Sequence, residues 1–224
     1  MKIYYINTDT FLKNINTESL YYFSKDEKFK SEKRRVEFSL DRFLVFFVAK
    51  YIYSKIYPEI LIKHNKPYFK DLKPHFSISH SKNIVLVCFD DFENGIDIEY
   101  IKDRNFKKLF EYYNITSVPV SKLNFYRFWT EYEAKVKLKS EINSSLTGIF
   151  LNNFMLSVTS NHSFDIKRKL KIYEVKSPID IINPNELINL KEVIESKKKE
   201  KTLVIHEMKT ALSEFFAPLN LNIE

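Results

Sequence analysis

Glycine occupies only two of the 224 positions, Gly95 and Gly148, and that scarcity limits this chain more than any other feature. Phosphate loops need several glycines at fixed offsets, so a P-loop and a dinucleotide-binding fingerprint are both excluded. Turns that need positive φ must be made by other residues, and the abundant asparagines are the first candidates. Compositional drift accounts for the shortage more simply than function does.

Composition otherwise predicts a folded globule, with 44% hydrophobic and 16% aromatic residues, well outside the range of disordered chains. The length allows one large domain or two small ones. The single cysteine, Cys88, lies in an apolar run and reads as a small core residue of a protein in a reducing cytoplasm. The N-terminus reads as a strand rather than a signal, and the greasiest run, 43–49, is too short to span a membrane. The expected protein is soluble and cytoplasmic. A net charge of +7 favours anionic partners: nucleic acid, phosphorylated small molecules or an acidic protein.

Hydrophobic periodicity predicts a long helix over 32–57, ended by Pro58, and a second over 120–139. A strand at the N-terminus, strands over 84–89 and 96–100, and further strands near 150–159, 170–175 and 202–208 are expected, with an amphipathic helix over 185–201. Residues 66–69 read as loop. The dipeptide of Asn94 and Gly95 predicts a tight hairpin that pairs 96–100 with 84–89. Strands and helices are mixed without regular alternation, so the class is α+β.

Three segments carry the chemistry. In the strand holding Ile96, Asp97, Ile98 and Glu99, the two carboxylates share one face. In the second helix Trp129, Glu133 and Lys137 recur every four residues and share one stripe. Three carboxylates and a lysine on two rigid elements suit a magnesium ion with a phosphate beside it. The third segment, Ser77 to Ser81, sets His80 among hydroxyls; it reads either as a structural histidine or as a set of phosphate donors. Arg34, Arg35 and Arg42, near or on the first helix, read as a solvated face or as phosphate clamps.

Taken together, Phe76 to Ser81, then Gly95 to Glu99, then Phe128 to Lys137, in this order and spacing, resemble the surfactin-synthetase-type 4'-phosphopantetheinyl transferases. The likeness is clearest over 35–139, and Lys66 with Pro67 stands where that family has Gly-Lys-Pro. The resemblance implies a pseudo-twofold α+β fold of two similar halves, 1–95 and 96–224, each with an antiparallel sheet and a long helix. Coenzyme A would lie in the cleft between them. It further implies transfer of the phosphopantetheine arm of coenzyme A to a serine of an acyl or peptidyl carrier protein, with release of adenosine 3',5'-bisphosphate. By that analogy Asp97, Glu99 and Glu133 hold magnesium, Glu133 is the base, and Lys137 meets the pyrophosphate. Ser79 and His80 approach the 3'-phosphate, and Arg35, Lys66 and Pro67 contact phosphate or nucleotide. Tyr132 stands where the family usually has a lysine. Neither nucleic acid nor a membrane is expected as a partner, and a two-halved chain predicts a monomer. The alternatives are a homologue that binds carrier or coenzyme A without turnover, and a basic nucleic-acid-binding protein.

Overall fold

The computed structural model describes residues 1–177, apart from 16–19, 25–26, 56–57 and 64–65. The strand expected over 202–208 and the helix over 185–201 lie outside the described residues. Met1–Lys176 form one compact unit of class α+β.

Strand β1 (Lys2–Asn7) leads into a helical turn, α1 (Thr8–Phe11), and a 3-10 turn covers Tyr21–Ser24. Helix α2 (Glu32–Tyr53) is capped by the Ser31 side chain, which accepts the Arg34 N–H. A hairpin of β2 (Ile60–Lys63) and β3 (Lys66–Phe69) follows, so the segment read as a loop is a strand. Next come β4 (His75–Ser81), β5 (Ile84–Asp90), β6 (Asn94–Tyr100) and α3 (Phe106–Tyr112). Helix α4 (Lys122–Leu138) is capped by Ser121. The strand expected over 150–159 is the end of a hairpin, β7 (Ser144–Phe150) and β8 (Phe154–Ser160). A turn of helix, α5 (Ile166–Lys169), precedes β9 (Lys171–Glu174). No helix among the described residues is long and apolar enough to cross a membrane.

Two larger sheets result, with strand orders β4-β5-β1-β9 and β6-β8-β7. All pairings are antiparallel except β1 with β9. The sheet built on β1 thus takes its last strand from 171–174. Every residue of β5 is buried, which explains its unbroken apolar sequence: it pairs on both edges and is covered on both faces. One face meets the other sheet, with Ile3, Leu86, Cys88, Ile96, Ile98, Leu156 and Val158 in a common core. On the other face Phe89 stacks on Tyr53 of α2.

The expected hairpin between β5 and β6 does not form. Because β5 already bonds β4 on one side and β1 on the other, no edge is left for β6, which pairs with β8 instead. Gly95 sits inside β6 with ordinary φ. Its role is close approach: a Cβ there would lie 2.0 Å from the Ala134 carbonyl oxygen and 2.8 Å from the Leu138 nitrogen, both on α4. Positive φ is carried by Ser54, Leu72, Lys82, Asn114, Lys139, Leu151 and Asn152. Ser54 and Lys139 are the left-handed C-caps of the two long helices, a place glycine usually fills.

Candidate functional site

The alternating serines of β4 explain how the two sheets meet. With a period of two, Ser77, Ser79 and Ser81 share one face. Each hydroxyl accepts a backbone N–H of β6: Ile96 N to Ser77 at 3.2 Å, Ile98 N to Ser79 at 3.2 Å and Tyr100 N to Ser81 at 2.9 Å. A strand edge that would otherwise need a partner strand is satisfied by side chains. The same hydroxyls donate onward, Ser79 to Asp97 Oδ1 at 2.9 Å and Ser81 to Glu99 Oε2 at 3.2 Å. Asp97 and Glu99 are therefore held facing β4.

Lys137 closes this network from α4. Its ammonium donates to Asp97 Oδ1 at 2.8 Å and to Ser79 Oγ at 3.1 Å. A hydroxyl has one proton and two lone pairs, so Ser79 is fully engaged by protein groups and serves to order its neighbours. Helix α4 is fixed in turn by Thr130, whose hydroxyl lies 2.8 Å from that of Ser157 on β8.

These side chains open onto a cavity of about 370 Å³. From β4 it is lined by Ile78, Ser79 and His80, from β6 by Asp97, Ile98 and Glu99, and from α4 by Lys137. Pro67 of β3 completes that side, and α2 contributes Phe38, Asp41 and Arg42. Three polar atoms on this lining are buried without a hydrogen-bond partner among the described residues: Asp41 Oδ1, Arg42 Nη1 and Asp97 Oδ2. Unpaired buried polar atoms are costly, and three on one cavity mark it as built for a polar ligand.

Electrostatics inside the cavity follow from burial. Desolvation raises the Glu99 carboxyl, with the nearby Asp97 charge adding to it; Ser81, Arg104 and the Trp129 indole act in the opposite direction. Desolvation lowers His80, against the pull of the Glu37 carboxylate, so the imidazole is neutral at pH 7. Glu37 is itself buried and lies 3.8 Å from His80 Nδ1, while Arg34 reaches both Glu37 at 3.3 Å and His80 Nε2 at 3.4 Å. Arg42 packs its guanidinium over the Phe38 ring, 4.8 Å from the centroid, and burial lowers its proton affinity.

Among the residues singled out from sequence, Arg42, Pro67, Ser79, His80, Asp97, Glu99 and Lys137 come together on this one cavity. Three others do not line it. Arg35 stacks on the Tyr21 ring at 4.0 Å and donates to Ser24 Oγ. Lys66, half-buried and next to Pro67 in β3, donates its ammonium to the Asn94 carbonyl at 2.9 Å. Glu133 is half-buried on α4, one turn before Lys137. Tyr132 is 50% exposed and stacks on Phe128 along the outer face of α4.

Sequence reading passed over Glu37, Phe38 and Asp41. A signal was present: Arg34, Glu37, Asp41 and Phe38, Arg42 recur at three- and four-residue spacing on a helix whose other inward positions are apolar except for Ser39. Charged residues on such a stripe are either solvated or aimed into a site.

Among the described residues, no three His, Cys, Asp or Glu side chains gather as a metal-holding group. Two carboxylates, Asp97 and Glu99, do face the cavity, and Asp97 Oδ2 has no hydrogen-bond partner among the described residues. That donor set fits magnesium, which takes one or two carboxylates and completes its shell with water and ligand phosphate.

The sequence matches no protein-family model and no curated protein.

Proposed function

We propose that the protein is a 4'-phosphopantetheinyl transferase. In this reading it moves the phosphopantetheine arm of coenzyme A to a serine of an acyl or peptidyl carrier protein and releases adenosine 3',5'-bisphosphate. One observation carries the proposal: residues from three separate sequence motifs, Ser79 and His80, Asp97 and Glu99, and Lys137, line a single polar cavity. A chance string of similar letters has no reason to converge.

The chemistry asks for positioning and charge neutralisation rather than covalent help. The serine oxygen bonds the phosphorus that carries the pantetheine arm, the bond to the bridging oxygen of the diphosphate breaks, and the serine proton leaves to a base. Lys137, held in place by Asp97 and Ser79, lies beside the diphosphate and offsets the charge that builds on the leaving phosphate. Arg42, with Nη1 free of protein partners among the described residues, adds a second cationic contact from α2. His80 and Pro67 border the cavity on the side given to the nucleotide, and Lys66 and Arg35 have a nucleotide or phosphate role by the resemblance alone. The resemblance assigns the base and the third magnesium donor to Glu133, which stands one turn before Lys137 on α4 and outside the lining of the cavity. Asp97 and Glu99 would hold a magnesium ion that neutralises the diphosphate. In this reading the two sheets, each with one long helix against it, take the part of the two halves, with β9 joining the first sheet from the second half of the chain. The +7 charge suits an acidic carrier protein and speeds its encounter at low salt.

The test is a transfer assay with coenzyme A, magnesium and an apo carrier protein, read by intact mass. The expected product is a carrier heavier by one phosphopantetheine arm, and Asp97→Ala removes it. No mass gain across fatty-acid, polyketide and peptide-synthetase carriers, with folded enzyme, overturns the proposal. Coenzyme A binding without transfer to any of them would replace it by a binding-only role.

A further inference from the structure

Asp41 is the one acid on the cavity that the reaction above does not use. It reaches the lining from α2, opposite Asp97 and Glu99 on β6, and its Oδ1 is buried with no hydrogen-bond partner among the described residues. Next to it Arg42 Nη1 is in the same condition. An ionised, unpaired carboxylate here would confront the phosphates that Arg42 and Lys137 attract. A carboxyl that keeps its proton instead offers a donor to the same anion.

We propose that Asp41 is a ligand-binding residue of this cavity, donating a hydrogen bond from its carboxyl O–H to a phosphate oxygen of the ligand beside the Arg42 guanidinium. The proposal rests on the phosphopantetheinyl-transfer reading for its ligand, a diphosphate ester. Its surroundings favour the protonated form. Burial raises Asp41 well above the usual carboxylate range, and Glu37 adds to the rise, against the opposing pull of Arg42, Lys137 and Arg34. The charged and titratable groups around it are thus Arg34, Glu37 and Arg42 on its own helix and Lys137 on α4. Across the cavity stand His80 of β4 and Asp97 and Glu99 of β6. The arrangement also makes the cavity selective. A diphosphate diester, which has no donors of its own, is matched here by the donors of Asp41, Arg42 and Lys137.

The experiment titrates coenzyme A, and inorganic pyrophosphate in parallel, into wild-type protein, Asp41→Asn and Asp41→Ala by calorimetry between pH 6 and 8.5. Asparagine keeps a donor of the same shape and carries no charge, so Asp41→Asn should bind within about threefold of wild type at pH 6. Asp41→Ala should bind at least tenfold more weakly. Once pH is high enough to ionise Asp41, wild-type affinity should fall relative to Asp41→Asn, because the carboxylate repels the phosphate, and the other titrating groups are common to both proteins. Equal affinity of the alanine variant and wild type overturns the inference, as does an asparagine variant as weak as the alanine one. If Asp41→Ala does not fold, Asp41→Leu, which leaves no cavity and has no donor, takes its place, and an affinity equal to wild type overturns the inference. If wild type binds pyrophosphate but not coenzyme A, the transfer reading fails while Asp41 is still tested. Binding of neither ligand overturns both.

Discussion

The ammonium of Lys137 lies 2.8 Å from Asp97 Oδ1, and this contact joins helix α4 to strand β6 at the lining of the cavity. Asp97 is only 6% exposed, so the lysine compensates a charge that water does not reach. Removing one partner of such a pair leaves the other stranded, at a cost of about 2–4 kcal/mol once partial exposure of the lysine is allowed for. Lys137→Ala should therefore lower both stability and transfer. In the double variant Asp97→Asn with Lys137→Met, the unfolding midpoint should recover most of the loss while activity stays absent. A double variant no more stable than Lys137→Ala would mean that the pair does not set the stability of this region.

The serine rungs between β4 and β6 are a second determinant. Ser79→Ala deletes the acceptor of the Ile98 N–H and one donor to Asp97, both buried, for an expected loss of about 2 kcal/mol. Ser77→Ala removes only the Ile96 N–H acceptor and should cost about half as much. Urea unfolding of the two variants measures the difference. Equal losses would show that the Asp97 contact of Ser79 contributes nothing.

Gly95 and Gly148 should respond in opposite ways to alanine. At Gly95 the new methyl group would meet the Ala134 oxygen, the Leu138 nitrogen and Thr159 Oγ1 at 2.0, 2.8 and 2.9 Å, so α4 would have to move. A loss of about 3 kcal/mol or more is expected, and because Lys137 rides on that helix, transfer should fall with it. Gly148 has nothing within 4 Å of the same position and no positive φ; alanine there should be neutral or stabilise by about 0.5 kcal/mol. Thermal unfolding of both variants checks the contrast.

The same glycine shows where sequence reading succeeds and where it stops. The two long helices were legible because their apolar spacing is local, and they came out within a few residues of 32–57 and 120–139. That Asp97 and Glu99 share one face was legible from period-two spacing; their meeting with Lys137 on one cavity was expected from the resemblance alone, and Glu133, expected with them, does not line it. The partner of β6 was not legible. Asn94 and Gly95 carry a strong local turn signal, yet the outcome was decided by β5 being paired on both edges and by a helix that needs a position without a Cβ. Both are long-range facts. Asp41 escaped for a similar reason, since a charged residue on a helix declares itself a site residue only when the opposite wall is known.

Lys66 gives a prediction in pH. Its ammonium is buried against the Asn94 carbonyl, and desolvation, the largest influence, brings its pKa down to about 8 from the ordinary 10.5. Between those two values the unfolded chain binds a proton that the folded one does not, so stability contributed by this group rises with pH across that window. Below about pH 8 the charged lysine is buried in the folded state at full cost; above about pH 10.5 the cost is gone. Other lysines and the tyrosines titrate in the same range, so the useful quantity is the difference between wild type and Lys66→Met. That difference, from urea midpoints at pH 7.5 and 9.5, should shift in favour of wild type by about 1–2 kcal/mol as pH rises. A difference that does not change with pH would mean that the Lys66 ammonium is as well solvated in the folded protein as in the unfolded chain.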